Sequence, residues 1–198
     1  MVATSGDTGS AVANGFLGVE GIHVYVLYPK GKVSEIQEKQ FTTLGQNITA
    51  LEVDGTFDDC QALVKAAFMD KELNSRLQLT SANSINVARF LPQAFYYFYA
   101  YAQLKRAGKA ANAVICVPSG NFGNITAGLF GKRMGLPIKR FIASNNRNDI
   151  FYQYLQTGVY APRPSVATIA NAMDVGDPSN LPVCSTSMAV AMQLSLPR

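Results

Sequence analysis

The chain has 198 residues, of which 48% are hydrophobic and 15% charged. That composition excludes a disordered chain and is sufficient for one large domain or two small ones. The formal net charge of +4 is a small basic excess without a Lys/Arg run, so we expect no nucleic-acid partner.

Cysteine and histidine usage excludes several kinds of site. Cys60, Cys116 and Cys184 lie far apart, with neither a CxxC pair nor a metal-ligand spacing, and His23 is the only histidine. A Ser-His-Asp triad or a multi-histidine metal site is therefore excluded, and no metal is expected. Cys116 lies in an apolar run and is predicted to be a buried free thiol, which is typical of a reducing cytoplasm.

No targeting or membrane segment is expected. The first residues have neither a basic region nor an apolar region of the kind found in signal peptides. The most aromatic stretch, 90–104, is interrupted by Pro92, Gln93 and Gln103 and is predicted to be a buried helix rather than a membrane span.

Strand-like and helix-like segments alternate along the chain, which predicts an α/β fold of mostly parallel sheets with flanking helices. The expected strands are 2–4, 22–27, 48–53, 77–80, 112–117 and 138–143. The expected helices are 10–17, 34–44, 56–68, 85–107, 124–134 and 149–156. Ser34 and Gln37 form a capping-box pattern, and Pro92 is expected to kink or restart the longest helix.

The strongest chemical signal is Ser119–Asn124, between an apolar strand and a helix. Gly120 and Gly123 allow a sharp turn and a close approach of the backbone to a ligand. The unpaired N–H groups of a helix start and the helix dipole favour a phosphate there. The Walker pattern and the G-x-G-x-x-G pattern are both absent. An ordinary glycine turn is the alternative.

A second candidate loop is Thr4–Gly9. The hydroxyl and N–H groups of its residues are suited to a carboxylate. Asp7 is unexpected in an anion pocket, so it either faces a donor group or is a simple N-cap.

A third candidate segment, Ser81–Arg89, surrounds a helix start. Asn86 and Arg89 are three residues apart and share a face, and the Arg89 guanidinium is suited to a phosphate. A capped helix with a solvated arginine is the alternative.

Taken together, these motifs resemble threonine synthase, and the resemblance covers residues 2 to about 180. Each motif alone is weak, and their order along the chain makes the resemblance specific. The motifs are Ala3–Gly9, Tyr28–Ser34, Ser81–Arg89, Pro118–Asn124 and Asn171–Val175.

The resemblance implies the tryptophan synthase β-like fold (fold type II), with pyridoxal 5'-phosphate (PLP) between two α/β domains. Residues 1–82 are then part of the smaller domain, and residues 83–180 part of the larger, PLP-phosphate-binding one. The implied cofactor-binding residues are Gly120, Asn121, Phe122, Gly123, Asn124 and, near the phenolic oxygen, Asp7. The implied substrate-binding residues are Thr4, Ser5, Gly6 and Thr8 for the α-carboxylate, and Ser84, Asn86 and Arg89 for the substrate phosphate.

The implied reaction converts O-phospho-L-homoserine and water to L-threonine and phosphate, the last step of threonine biosynthesis. Two alternatives stay open: a related PLP-dependent threonine or serine dehydratase-like lyase, and a non-catalytic phosphate-binding α/β module. The resemblance gives no oligomeric state.

The chain also departs from the family pattern. The Schiff-base lysine belongs to a segment upstream of the Thr4–Gly9 loop, and none of the nine lysines present lies in that motif. We therefore expect the fold to be truncated at both ends, with no catalytic residue in this chain and no activity in isolation. The lysines are Lys30, Lys32, Lys39, Lys65, Lys71, Lys105, Lys109, Lys132 and Lys139.

Residues 181–198 are predicted to be an atypical, frame-shifted tail. The resemblance stops at Leu181, and one added T before its codon permits a back-translation that continues in the family pattern. The coding DNA tests this hypothesis. A genuine divergent helix is the alternative.

Overall fold

Strands alternate with helices in the computed structural model, which describes residues 1–84 and 86–184. The chain divides into two compact units, with the boundary between Asn83 and Ser84. Every strand pair in the described residues is parallel. The expected α/β class with parallel sheets is therefore confirmed.

The first unit is built on a three-stranded sheet of order β1-β2-β3. Its strands are β1 (Val2–Ala3), β2 (Val24–Pro29) and β3 (Ile48–Val53). Its helices are α1 (Asp7–Phe16), α2 (Glu35–Thr42), α3 (Phe57–Met69) and α4 (Lys71–Arg76).

The central strand β2 shows why helices cover both faces of this sheet. Side chains alternate along a strand, so Val26 packs in one cluster with Phe41 of α2, and Leu27 packs in another with Val64 of α3. A parallel sheet covered on both faces leaves the carboxyl ends of its strands for loops. The Thr4–Gly9 loop follows β1 at that end.

The second unit has a two-stranded sheet, β4 (Val114–Pro118) and β5 (Arg140–Ser144). Its helices are α5 (Phe90–Arg106), α6 (Gly123–Arg133) and α7 (Ile150–Thr157), with short 3₁₀ turns at Val87–Arg89 and Asn171–Met173. Its core consists mainly of apolar side chains from these helices and the strand ends.

The prediction that β4 is covered on both faces, with Cys116 buried, is wrong. Among the five residues of β4 only Val117 is buried, and Cys116 is exposed. Within the described residues β4 pairs with β5 alone, and its alternate side chains face away from the core. An apolar run alone therefore overestimates burial.

The prediction of a buried aromatic helix is also wrong. α5 buries one face through Phe90, Ala94 and Tyr97, whereas Tyr96 is 72% exposed and Tyr99 69%. The helix is amphipathic, but aromatic residues occupy both faces.

Pro92 lies in the first turn of α5, where the N–H that it lacks has no intrahelical acceptor. Of the two predicted outcomes, a kink or a restart, the structure shows a restart, because the α-helix begins at Phe90 directly after the 3₁₀ turn.

The strand predicted at 77–80 is wrong, because these residues pair with no other strand in the described part of the chain. Helix α4, capped by the Asp70 carboxylate on Leu73 N (2.9 Å), was not predicted.

The C-terminal part of the chain is described as far as residue 184. Residues 181–184 form a helical turn whose Leu181 and Cys184 side chains are buried. The rest of the predicted atypical tail, 185–198, lies outside the described residues.

None of the described helices combines the length and the apolar character required to span a bilayer.

Candidate functional site

The loop 119–124 joins β4 to α6, and its two ends are tied to neighbouring strand ends. Ser119 N donates to the carbonyl of Ser144 at the end of β5 (2.9 Å), and Asn124 Nδ2 donates to the carbonyl of Pro118 (2.7 Å). The turn is therefore held at the carboxyl edge of the sheet, where ligands bind in open α/β folds.

Phe122 shapes the turn. Its backbone is left-handed (φ 64°, ψ 7°), which costs an L-residue about 1–2 kcal/mol. The Phe122 side chain is only 1% exposed and contacts the ring of Phe151, with 4.6 Å between the ring centroids. Burial of this ring offsets the backbone cost and fixes the direction in which α6 begins.

The backbone donors of the loop have no acceptor. Among the described residues, none accepts a hydrogen bond from the N–H groups of the five residues at the turn. These residues are Gly120, Asn121, Phe122, Gly123 and Asn124. Buried donors without partners are rare in folded proteins, and Gly120, Phe122 and Gly123 are buried. A group with several acceptor oxygens, such as a phosphate ester, fits this set.

The local charge also favours an anion. The helix dipole places partial positive charge at the start of α6. The sequence contains no Asp or Glu between Glu72 and Asp149, a stretch that includes the whole loop.

The two glycines of the loop are closely packed. A Cβ added at Gly120 would lie 3.0 Å from the Cα of Met173, and one added at Gly123 would lie 2.9 Å from the Cβ of Ser84. Ser84 and Met173 both belong to the motifs that carried the family resemblance. The structure therefore brings parts of three motifs together around one turn.

Side chains from 179–180 complete this arrangement. The side-chain Oδ1 of Asn121 accepts from both N and Oγ of Ser179 (3.1 Å each). Asn180, 2% exposed, donates from Nδ2 to Ser84 Oγ (2.9 Å). Sequence analysis did not assign Ser179 or Asn180 a role; a Pro-Ser-Asn sequence beside a resemblance motif was the signal available.

The third candidate segment contributes unequally. Ser84 lies against Gly123 of the loop. Asn86 caps the following 3₁₀ turn, with its Oδ1 accepting from Ala88 N (3.0 Å). Arg89 is half-buried, and burial lowers the pKa of its guanidinium from the ordinary value. Of the alternative, a capped helix with a solvated arginine, the cap is present, while Arg89 is only partly exposed.

The loop after β1 is organised by Thr4. Its side-chain oxygen accepts from Gly6 N (2.9 Å) and Gly9 N (2.8 Å), and the residue is 1% exposed. A Cβ at Gly9 would lie 2.5 Å from Cγ2 of Thr4, so no side chain fits there. Thr4 thus bends the loop into the start of α1.

Other hydrogen-bond donors in this loop have no acceptor among the described residues. No described residue accepts from the N–H groups of Ser5, Asp7 and Thr8 or from the Ser5 and Thr8 hydroxyls. A carboxylate, with two acceptor oxygens, matches this set of donors.

Asp7 faces a donor and is not the N-cap of α1. The helix begins at Asp7, and the cap position is Gly6, with φ 140°. The Asp7 carboxylate instead accepts from Gln37 Nε2 (2.6 Å). Of the two interpretations of Asp7, the N-cap is wrong, because the loop turns one residue earlier, at Gly6. Glycine is favoured there, since a Cβ at Gly6 would lie 2.6 Å from the Gln37 side chain.

Gln37 has a second role that sequence analysis missed. Its backbone N donates to Ser34 Oγ (3.4 Å), as the predicted capping pattern requires. Its side chain also reaches Asp7, thirty residues earlier. No periodicity in the sequence indicates that contact.

None of the nine lysines, all of which are described, is buried. Lys132 lies in the last turn of α6, at the opposite end of that helix from the loop.

The unpartnered N–H groups at the start of α6 fit a small phosphate-bearing ligand. The chain belongs to the pyridoxal-phosphate dependent enzyme family, whose model matches residues 1–191. The expected cofactor is therefore confirmed as PLP, and the unpartnered N–H groups of 120–124 fit its phosphate.

Similar proteins agree with this assignment. The chain is 57% identical over 182 residues to the threonine synthase of Haemophilus influenzae, covering 92% of this chain and 43% of the relative. The crystal structure of threonine synthase from Escherichia coli matches with a TM-score of 0.91 and 51% identity, covering 96% of this chain and 44% of that one. The PLP-bound threonine synthase from Brucella melitensis matches with a TM-score of 0.77 and 39% identity, covering 98% and 43%. These matches confirm the expected fold.

The chain thus spans less than half the length of the relatives that it matches.

Proposed function

We propose that this chain is part of a threonine synthase, which converts O-phospho-L-homoserine and water to L-threonine and phosphate in the last step of threonine biosynthesis. The observation that carries the proposal is the row of N–H groups without acceptors at 120–124, in a chain 57% identical to a threonine synthase. PLP, when bound, withdraws electrons from the amino acid and so eases the loss of its protons.

Residues 120–124 hold the cofactor phosphate through backbone donors. The Asn121 and Asn124 side chains stabilise the turn itself, since they bond to Ser179 and to the Pro118 carbonyl. The backbone N–H groups therefore bind the ligand, and the loop is specific for phosphate oxygens rather than for a particular ring.

The loop after β1 holds the substrate α-carboxylate. Ser5 and Thr8 supply hydroxyl and N–H donors, while Gly6 and Thr4 give the loop its shape. Asp7, whose carboxylate accepts a hydrogen bond from Gln37, would face the phenolic oxygen of the bound cofactor.

Ser84, Asn86 and Arg89 bind the phosphate of the substrate. A guanidinium presents paired donors that match phosphate oxygens. The half-buried position of Arg89 strengthens its electrostatic effect, because water screens it less there. The three free cysteines are consistent with a reducing cytoplasm as the place of action.

Arg89 also discriminates between the two enzymatic alternatives. A serine or threonine dehydratase acts on substrates without a phosphate and would need no guanidinium for that group. A non-catalytic phosphate-binding module would need neither the second loop nor its unpartnered hydroxyls.

A chimeric enzyme tests the proposed function. The segment of Haemophilus influenzae threonine synthase that aligns with this chain is replaced by the matching residues of this chain. We expect phosphate release from O-phosphohomoserine within about tenfold of the parent enzyme, or about 1.4 kcal/mol in transition-state stabilisation.

The isolated chain is the control, and we expect it to be inactive because no lysine lies in the family's lysine motif. A chimera that folds like its parent but only deaminates serine or threonine would contradict the proposal and favour the dehydratase.

A further inference from the structure

We propose that Asp174 is a positioning residue, which holds the Asn171–Met173 turn against Gly120 and so fixes the direction of the loop's N–H groups. The inference rests on the proposed phosphate site and adds a residue outside the ligand's contacts.

The Asp174 carboxylate collects four hydrogen bonds from neutral donors. Oδ1 accepts from Asn146 Nδ2 (2.8 Å), Asn148 Nδ2 (3.1 Å) and Thr168 Oγ1 (2.7 Å). Oδ2 accepts from Thr168 N (2.7 Å). No Lys or Arg within the described residues forms an ion pair with it. Hydrogen bonds to an ionised acceptor are stronger than neutral ones and depend on direction, so these donors fix the carboxylate in one orientation.

The donors come from two separate segments. Asn146 and Asn148 follow the end of β5, whereas Thr168 lies just before the Asn171–Met173 turn. Asn148 is 7% exposed and also bonds both the N (2.8 Å) and the carbonyl oxygen (2.9 Å) of Val166. The carboxylate therefore joins the end of β5 to the 166–174 segment.

Both joined segments flank Gly120. On one side, the Cα of Met173 lies 3.0 Å from where a Cβ of Gly120 would be, and Met173 directly precedes Asp174. On the other side, Asn145 Nδ2 donates to the carbonyl of Ser119 (3.2 Å), directly before Gly120. Loss of the hydrogen bonds to the Asp174 carboxylate would loosen both of these contacts at once. A loop that binds through backbone N–H groups has no side chain to compensate for lost orientation.

A purely structural role for Asp174 makes a different prediction. In that case its removal would lower the stability of the second unit and leave the loop's geometry and affinity unchanged. Asp177 offers a matched control, because it lies three residues further on and its carboxylate accepts from Tyr160 Oη (2.5 Å). Asp174→Asn and Asp177→Asn remove the same charge from the same segment.

Two readouts on the ¹⁵N-labelled 198-residue chain separate the roles. One is hydrogen exchange at Ser119 N–H, which is bonded to the Ser144 carbonyl, together with the resonance position of Gly120. The other is the dissociation constant for inorganic phosphate. We expect Asp174→Asn to speed the exchange, shift Gly120 and weaken phosphate binding by about tenfold or more, with Asp177→Asn within about twofold of the parent chain.

Equal behaviour of the two variants in both readouts would overturn the inference. If the parent chain binds no phosphate, the proposed function fails, and exchange at Ser119 still decides the role of Asp174. If Asp174→Asn does not fold, Thr168→Val removes one donor to the carboxylate. We expect it to change both readouts in the same direction by a smaller amount, and no change would overturn the inference.

Discussion

Thr4 illustrates how both candidate loops divide their hydrogen bonds. Its side-chain oxygen accepts from two N–H groups of its own loop, at 2.8 and 2.9 Å. Asn124 bonds in the same way to the Pro118 carbonyl of the other loop. Side chains thus hold each turn, and the remaining backbone donors are left for a ligand. This division explains why the glycines of the loops tolerate no side chain.

A pair of glycines in α1 tests this packing. Gly9→Ala places a Cβ 2.5 Å from Thr4, whereas Gly15→Ala meets nothing within 4 Å. We expect Gly9→Ala to lower the free energy of unfolding by about 1–3 kcal/mol, because Thr4 has no room to move. We expect Gly15→Ala to raise it by about 0.5–1 kcal/mol, since alanine favours the helix.

Urea unfolding of the two variants supplies the measurement. Equal effects from the two substitutions would contradict the close contact between Gly9 and Thr4.

Among the elements, β3 was predicted to the residue, most other boundaries moved by one to three residues, and the start of α5 moved by five, from residue 85 to Phe90. β3 is a short run rich in apolar and β-branched residues and is bounded by glycines at 45 and 55, so local sequence is sufficient to define it. The α1 start moved from residue 10 to Asp7, because the loop turns at Gly6. The predicted strand, turn and helix around Ser119–Asn124 are present in the structure, because their signal is local: an apolar run and two glycines.

Contacts distant in sequence were not predictable. Gln37 with Asp7 and Asn180 with Ser84 join residues 30 and 96 positions apart. The prediction that Cys116 is buried failed for a related reason. Its exposure depends on which elements cover the sheet and not on the apolar run that contains it.

The capping box of α3 gives a test at this scale. Thr56 Oγ1 accepts from Asp59 N, and the Asp59 carboxylate accepts from Thr56 N (2.7 Å). We expect Thr56→Ala to lower the free energy of unfolding by about 1 kcal/mol. Thr157→Ala, at the exposed C-terminal end of α7, is the control and should change it by less than about 0.5 kcal/mol.

The same cap predicts a pH dependence. Hydrogen bonds from Thr56 hold the pKa of the Asp59 carboxyl below its ordinary value. This contribution to stability is therefore present above the unfolded pKa of about 4 and is lost as pH falls through the folded value. Between pH 5 and 2 the parent chain should lose more stability than Asp59→Asn, which has no titrating carboxyl at this position, and parallel curves would contradict the cap.

At the scale of the whole molecule, each compact unit carries one loop proposed to bind an anion, at the carboxyl end of a parallel strand. Thr4–Gly9 follows β1, and Ser119–Asn124 follows β4. Neither loop depends on a charged side chain for its backbone donors. The phosphate recognition proposed for 120–124 would consequently be a property of the second unit, and it can be measured without catalysis.

Titration of the ¹⁵N-labelled chain with pyridoxine 5'-phosphate, and separately with pyridoxine, measures that recognition directly. Neither ligand has an aldehyde, so surface lysines do not react with them. We predict that the phosphate ester shifts the amide resonances of Gly120–Asn124 downfield and saturably, that inorganic phosphate moves the same resonances, and that pyridoxine leaves them unchanged. Equal shifts with pyridoxine and its phosphate, or phosphate-induced shifts confined to other residues, would contradict a phosphate-binding turn after β4.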